Sequence, residues 1–224
     1  MFASNRDSVP RSTELVFILD RSGSMGGLET DTIGGFNSML VQQKALAGEC
    51  RVTTVLFDDR YELLHDRIDL RAVSPISTKE YWVRGSTALL DAIGKTIDKV
   101  GNIQKYTAKP YQAEKVMVVI ITDGMENASV KFGADQVRRM IERQKSKYGW
   151  EFIFLGANID AVETSRNLGI HPDYAAEYLA DQAGTAASYA AVSQIAINLR
   201  SGASMPGAPL SAVRADTNKR KARR

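Results

Sequence analysis

Apolar strand-like runs alternate with amphipathic helical patterns along almost the whole chain, and this alternation limits the fold more than any other feature. The run KVMVVIIT (115–122) is apolar on both faces, as in a strand at the centre of a parallel sheet. Further strands are predicted at residues 14–19, 51–57 and 151–156. We therefore expect an α/β fold with a doubly wound, Rossmann-like, mostly parallel central sheet of about six strands and helices on both faces.

Helices are predicted where apolar residues recur three or four positions apart between the strands. The second of these stripes ends near Gly101, which predicts a helix stop at that residue. The segment YELLHD (61–66) follows the second strand after a turn at 58–60, and so short a link permits only an antiparallel neighbour. One edge strand should therefore run antiparallel to the rest.

The positive charge of the chain is concentrated at its C-terminus. The 224 residues carry a net charge of +3, yet residues 214–224 alone contribute +5, so residues 1–213 carry −2. Gly, Pro, Ala and Ser precede this basic run from residue 201 onward, a composition typical of flexible segments. We expect an N-terminal extension (1–12), one folded domain (13–200) and a flexible basic tail (201–224).

Three features favour a cytoplasmic protein that makes no membrane contact. The longest apolar run, 116–121, is too short to span a bilayer. The N-terminal segment MFASNRDSVPRSTE has no apolar core of signal-peptide length. A single cysteine, Cys50, excludes an internal disulfide and fits a reducing compartment.

Oxygen-bearing side chains follow two predicted central strands and precede one predicted helix. The segment FILDRSGSM (17–25) leads a strand into Asp20 and two serines, TDG (122–124) ends another strand, and GSTALLD (85–91) starts a helix. Ligands of open parallel sheets bind beyond the carboxyl ends of the strands, near the point where the winding reverses. If the two strands are neighbours, these oxygens converge into a site suited to a hard cation such as Mg²⁺.

These segments resemble the metal-ion-dependent adhesion site of the von Willebrand factor A (vWA) domain. That family's pattern is D-x-S-x-S, a later threonine and a later aspartate, and it is met here by DRSGS (20–24), Thr87 and Asp123. The resemblance covers roughly residues 13 to 200 in order and spacing. The segment FIFLGANIDA (152–161) and the helices after it look similar to stand-alone bacterial and phage members.

The resemblance implies a role for each of the five positions. Ser22 and Ser24 would bind Mg²⁺ or Mn²⁺ through their hydroxyls, and Thr87 would bind directly or through water. Asp20 and Asp123 would hold metal-bound waters and orient the serines. Neutral hydroxyls leave the charge of the cation largely unquenched, so an incoming carboxylate can complete its octahedron.

This chemistry predicts a protein-binding module rather than an enzyme. The module would be a scaffold or adaptor that captures an acidic side chain of a partner protein, and the resemblance implies an AAA-type ATPase as a first partner to consider. Residues beside the motif are expected to contact the ligand: Arg21, Ser86, Gly124, Glu126 and Asn127.

Other interpretations of the same residues stay open. Ser22 and Ser24 could cap the first helix, and Asp123 with Gly124 could form an ordinary turn. The same Mg²⁺ could serve a phosphoryl hydrolase, although no base, nucleophile or GxxxxGK[ST] loop lies near the site in sequence. The basic tail could tether nucleic acid, although no aromatic residue interleaves with its charges.

Overall fold

A six-stranded sheet forms the centre of the protein in a computed structural model that describes residues 12–203 and 206–223. The strands are β1 (Thr13–Asp20), β2 (Cys50–Phe57), β3 (Tyr61–Asp69), β4 (Lys115–Thr122), β5 (Glu151–Ala157) and β6 (Ala175–Tyr178). Their order is β3-β2-β1-β4-β5-β6, and every neighbouring pair is parallel except the antiparallel pair β2–β3. The predicted mostly parallel sheet with one antiparallel edge strand is confirmed.

Helices cover both faces of this sheet, as predicted. They are α1 (Glu29–Lys44), α2 (Leu89–Tyr106), α3 (Ala134–Tyr148), α4 (Ala161–Asn167), α5 (Gln182–Arg200) and α6 (Ser211–Lys221). The predicted stop of α2 at Gly101 is wrong, because the helix continues through that residue to Tyr106. It ends where Thr107 turns extended and its hydroxyl bonds the carbonyl of Ile103 at 2.7 Å.

The alternation of side chains along the strands divides the core into two layers. On β1, Leu15, Phe17 and Leu19 pack with apolar residues of α1, α5 and α6, whereas Val16 and Ile18 pack with those of α2, α3 and α4. The central strand β4 alternates in the same way. Both faces of β1 and β4 are thus buried, as expected for the two central strands of the sheet.

The C-terminal segment is folded where the sequence predicted a flexible tail. Leu210 and Val213 are buried in the core, and Thr217 Oγ1 donates to the carbonyl of Glu177 in β6 at 3.0 Å. Arg214 Nη1 donates to the carbonyl of Ala175 at 2.8 Å. The prediction of flexibility is therefore wrong for residues 211–221, since apolar residues three positions apart hold this basic helix against the open edge of β6.

The predicted N-terminal extension, residues 1–12, lies outside the described residues except for Ser12, whose hydroxyl donates to the carbonyl of Gln112 at 3.3 Å. Within the two described ranges, no helix combines the length and hydropathy needed to cross a membrane.

Candidate metal and ligand site

The winding of the sheet reverses between β1 and β4, which are parallel neighbours with Leu19 opposite Ile121. The chain proceeds from β1 to β2 and β3 on one side, and from β4 to β5 and β6 on the other. Their carboxyl ends therefore lie side by side at the switch point, where open α/β sheets bind ligands. Asp20 ends β1, and Asp123 follows the last residue of β4.

Three hydroxyls meet at this edge. Ser22 Oγ lies 3.0 Å from Ser24 Oγ, and Thr87 Oγ1 donates to Ser22 Oγ at 3.0 Å. Ser22 and Thr87 are buried while Ser24 is exposed, so the cluster opens to solvent on the side of Ser24. The structure thus brings together side chains that are 65 residues apart in the chain.

The serines do not cap a helix, which was the other interpretation of their pattern. Ser22 precedes a 3₁₀ turn at Gly23–Met25 and makes no side-chain capping bond. Helix α1 begins only at Glu29 and has Leu28 at its N-cap position. The serine hydroxyls are consequently available to the cluster.

Gly124 brings the third loop against these hydroxyls. A Cβ atom at this position would lie 2.8 Å from Ser24 Oγ and 3.0 Å from Thr87 Oγ1. A side chain here would force Ser24 Oγ or the loop to move, so glycine lets the backbone after β4 approach the cluster without disturbing it. The role of Gly124 is therefore close approach of the backbone.

Asp20 is fully buried at the base of the site. Its Oδ1 accepts from the backbone N–H of Ser22 at 2.7 Å, and its Oδ2 accepts from Thr122 Oγ1 at 2.6 Å. Burial raises the pKa of Asp20, and the hydrogen bonds from Thr122 and Ser22 offset only part of the rise. The same bonds orient the carboxylate and shape the turn that carries Ser22.

Asp123 is a second buried carboxylate beside the first. Burial and, to a smaller extent, the charge of Asp20 raise the pKa of Asp123 to about 6, against the lowering effect of a hydrogen bond from Asn158. Asn158 Nδ2 donates to Asp123 Oδ1 at 2.6 Å from the loop after β5. The negative charge of Asp20 disfavours the ionised form of Asp123. A bound cation between the two carboxylates would remove this repulsion.

The donor set fits a hard divalent cation. Among the described residues, no Lys or Arg side chain donates to Asp20 or Asp123, so no protein cation neutralises the pair. The hydroxyl cluster and the two carboxylates offer only oxygen atoms as ligands. Mg²⁺ and Mn²⁺ prefer oxygen ligands. Within the described ranges no three His, Cys, Asp or Glu residues form a group that could hold a metal ion.

Two residues expected to contact a ligand, Glu126 and Asn127, also hold the loops of the site. Asn127 Oδ1 accepts from the N–H of Thr87 at 2.9 Å, and the Asn127 N–H donates back to the Thr87 carbonyl at 3.1 Å. Glu126 accepts from the N–H of Leu90 at 2.8 Å and from the N–H of Ser129 at 2.7 Å. Both side chains therefore tie the loop after β4 to the start of α2.

Arg21 departs most from the prediction that it contacts the ligand. Its side chain is only 1% exposed, and its guanidinium pairs with Asp58 at 2.9 Å and with Glu62 at 2.7 Å. It is therefore occupied inside the protein, and the expected ligand contact of its side chain is a misassignment. Ser86, by contrast, is exposed beside the buried Thr87 and remains a ligand-contact candidate.

Three residues that support the site were not assigned from the sequence. Thr122 bonds Asp20, Asn158 bonds Asp123, and the hydroxyl of Tyr81 donates to the carbonyl of Asp20 at 2.5 Å. A signal existed for Asn158, since a polar residue directly after an apolar strand is the same pattern that drew attention to Asp20 and Asp123. No local pattern points to Tyr81, whose bond joins positions 61 residues apart.

The strand order, the antiparallel edge strand and the loops that converge at the switch point define this as a vWA fold. The fold predicted from the motif is thus confirmed.

Solved structures with this fold match over most of the chain. A von Willebrand factor type A protein from Catenulispora acidiphila shares 15% identity with a TM-score of 0.58, over 84% of this chain and 43% of that one. The manganese-loaded TRAP protein of Plasmodium vivax shares 18% identity with a TM-score of 0.57, over 79% and 71%. Proximal thread matrix protein 1 from the mussel byssus, with a zinc-occupied MIDAS motif, shares 14% identity with a TM-score of 0.58, over 84% and 46%.

The chain spans less than half the length of two of these three proteins. Identities this low establish a common fold and nothing finer. No protein-family model matches the sequence, and no curated protein matches it.

Proposed function

We propose that this chain is a protein-binding module that holds Mg²⁺ or Mn²⁺ and captures an acidic side chain of a partner protein. The cation would be held by the residues that the motif predicts: Asp20, Ser22, Ser24, Thr87 and Asp123. The observation that carries the proposal is the set of three hydroxyls, linked at 3.0 Å, beside two buried carboxylates.

Each residue of the set has a distinct task. Ser22, Ser24 and Thr87 offer neutral oxygens, while Asp20 and Asp123 supply the negative charge. Thr122 and Asn158 hold those carboxylates in place through bonds of 2.6 Å each. When bound, a divalent cation ligated mainly by neutral hydroxyls supplies a strong electrostatic attraction for a carboxylate.

The surroundings of the site favour a protein as the partner. Trp82, Met125 and Val130 are large apolar residues that are exposed, and they lie on the loops that carry Thr87 and Asp123. Exposed apolar residues near a polar site are typical of protein interaction surfaces. An AAA-type ATPase is the first partner to test.

We propose binding rather than catalysis. His65 lies within β3 and His171 lies before the 3₁₀ turn at Pro172–Tyr174, so neither of the two histidines of the chain follows β1 or β4 at the switch point. Structures of the same fold hold manganese and zinc, which supports a divalent metal here. A cytoplasmic location remains a prediction.

Peptide display tests the proposal without knowledge of the partner. The immobilised protein is panned with random peptides in Mg²⁺ and eluted with a chelator. Enriched peptides should share an Asp or Glu, and its replacement by Asn or Gln should abolish binding. Asp123→Asn should bind none of them, whereas Asp135→Asn, on the exposed start of α3, should bind them all.

Two results would contradict the proposal. Peptides that stay bound in chelator would show that capture needs no metal. Enriched peptides without an acidic residue would show that the ligand is not a carboxylate.

A further inference from the structure

Three exposed tyrosines lie at the opposite end of the sheet from the hydroxyl cluster. Tyr106 ends α2, Tyr111 ends the 3₁₀ turn at Lys109–Tyr111 just before β4, and Tyr148 ends α3 just before β5. Their exposed fractions are 76%, 74% and 47%. These positions precede the amino ends of β4 and β5, so the tyrosines are separated from the candidate metal site by the length of the strands.

Basic side chains alternate with these rings. The ammonium group of Lys105 lies 4.8 Å from the ring centre of Tyr106, and that of Lys147 lies 5.5 Å from the ring centre of Tyr148. A hydrogen bond from Arg143, together with the charge of Lys147, lowers the pKa of the Tyr148 hydroxyl. Each of these two aromatic side chains is therefore coupled to at least one cation.

A groove of about 430 Å³ between α2 and α3 joins the elements of this face. Its walls include Lys105, Arg143 and Tyr148, together with the polar side chains of Asn102 and Gln144, and Asp98 is its one acidic residue among the described ones. Apolar side chains, among them Val116 and Trp150, also line it, so the groove combines apolar surface with a small excess of positive charge. Its size lies in the range of pockets that accept small organic ligands, about 300–1,000 Å³.

We propose that this face binds single-stranded nucleic acid. Proteins that hold single strands combine a positively charged groove with aromatic rings on which unpaired bases stack. Here Lys105 and Arg143 would contact phosphates while Tyr106 and Tyr148 offer ring faces to the bases. A duplex keeps its bases stacked on one another, so it would leave the tyrosines unused.

The basic C-terminal helix, which the sequence suggested as a nucleic-acid tether, offers fewer free cations for phosphate contacts. Arg214 donates to β6 carbonyls, Arg220 pairs with Asp181 and Asp216, and Lys221 pairs with Glu177. These cations are engaged within the protein. The described contacts of Lys105, Arg143 and Lys147 are instead with neutral tyrosine side chains, which leaves their charge available to phosphates.

Fluorescence anisotropy with labelled oligothymidylate tests the proposal on the full chain. At about 50 mM salt the protein should bind a single strand of about 20 nucleotides more tightly than a duplex of equal length. The double variant Tyr106→Ala/Tyr148→Ala should lose about tenfold or more in affinity, because each stacked base contributes substantially. Trp82→Ala, which removes an exposed aromatic ring at the other end of the molecule, should bind as the unmodified protein does.

A charge variant separates electrostatics from stacking. Arg143→Gln/Lys147→Gln should weaken binding and flatten the salt dependence, by about 0.7 in logarithmic slope for each phosphate that the variant no longer neutralises. All these positions are on the surface, so unchanged melting temperatures will show that the variants fold.

Three outcomes would overturn the proposal. The first is no binding of the single strand at low salt. The second is equal affinity for the duplex together with no effect of the tyrosine substitutions, which would indicate general attraction to polyanions. The third is equally tight, tyrosine-dependent binding of a polyglutamate peptide, which would assign the face to an acidic protein.

Discussion

Thr122 Oγ1 donates to Asp20 Oδ2 at 2.6 Å, and this bond joins the ends of the two central strands beneath the hydroxyl cluster. Thr122→Val removes the donor and keeps the shape of the side chain. Loss of a hydrogen bond to a buried carboxylate should lower the free energy of unfolding by about 1–3 kcal/mol. Urea denaturation in chelator measures this loss directly.

A second buried threonine provides the control for this experiment. Thr96 Oγ1 donates to the carbonyl of Ala92 inside α2 at 2.7 Å and lies 3.4 Å from the hydroxyl of Tyr61, far from the candidate metal site. Thr96→Val should therefore leave Mg²⁺ affinity unchanged, while Thr122→Val should weaken it by about 10–100-fold, as for other residues that orient metal ligands. Equal metal affinity in both variants would deny Thr122 that role.

Gly124→Ala tests whether the hydroxyl cluster holds a metal. The added methyl would lie 2.8 Å from Ser24 Oγ and would displace it or the loop. Unmodified protein should gain about 2.7 kcal/mol of stability at a Mg²⁺ concentration one hundred times the dissociation constant, and the variant should lose most of that gain. Gly133→Ala is the matched control, because a Cβ there meets nothing within 4 Å. A full gain in Gly124→Ala would remove the cluster from the proposed site.

Asp58 is predicted to be the most sensitive position near the site. Its buried carboxylate accepts from Arg21 Nε at 2.9 Å and from Arg84 Nε at 2.7 Å. Asp58→Asn leaves the buried Arg21 with only the half-exposed Glu62 as a carboxylate partner, which should cost up to about 3–5 kcal/mol of stability in chemical denaturation. Asp59→Asn, in the same turn but half exposed, should change stability by less than about 1 kcal/mol. Similar losses in both variants would refute the importance of this ion pair.

His65 makes stability depend on pH. Burial lowers its pKa below the ordinary 6.5, and the charge of Glu80 offsets part of this effect. Above pH 6.5 the histidine is neutral in both the folded and the unfolded chain, so it does not affect stability. Below pH 6.5 the unfolded chain binds a proton at His65 while the folded protein still does not. The free energy of unfolding should therefore fall as the pH falls toward the folded-state pKa. The slope from this group cannot exceed about 1.4 kcal/mol per pH unit.

The histidine contribution is isolated by comparison with His65→Gln. Unfolding free energies of both proteins are measured between pH 7.5 and pH 5, a window chosen around the ordinary histidine pKa of about 6.5. All other titrating groups are common to the two proteins, so the difference between their profiles reports His65 alone. Parallel profiles would show that His65 titrates normally in the folded state.

Leu210→Ala tests whether the basic C-terminal helix belongs to the folded body. Leu210 is completely buried, and its truncation should destabilise the protein by about 2–5 kcal/mol if α6 is docked. A flexible tail would give no loss. Asn218→Ala, on the exposed side of the same helix, should change the free energy of unfolding in urea by about 0.5 kcal/mol or less.

Most of the fold was predictable because strand and helix periodicities are local properties of the chain. The strand predicted at 115–122 is β4, and the strand predicted at 151–156 is β5 without its last residue. Gly101 was misjudged because a glycine inside a helix costs only about 1 kcal/mol, which flanking contacts outweigh. Residues 211–221 were misjudged because their composition is polar, although Leu210 and Val213 are buried and Arg214 and Thr217 bond carbonyls of β6.

The sequence predicted the position of some residues of the candidate site and missed the contacts of others. Its five central residues follow a spaced motif, and four of them lie beside strand ends, where topology alone brings them together. Arg21 lies inside that motif, yet its side chain turns to Asp58 on the neighbouring strand-end turn. Asn158 supports the carboxylate of Asp123, and Tyr81 supports the backbone carbonyl of Asp20, each from a distant segment.

The sequence by itself determined the alternation of strands and helices, the antiparallel hairpin and the oxygen-bearing residues at the strand ends, since each depends on spacing along one short segment. Only the tertiary structure decided which of these oxygens touch, which cations are already paired and which tyrosines face solvent. The physical reason is that burial and side-chain direction depend on neighbours from remote segments, which a local pattern does not contain.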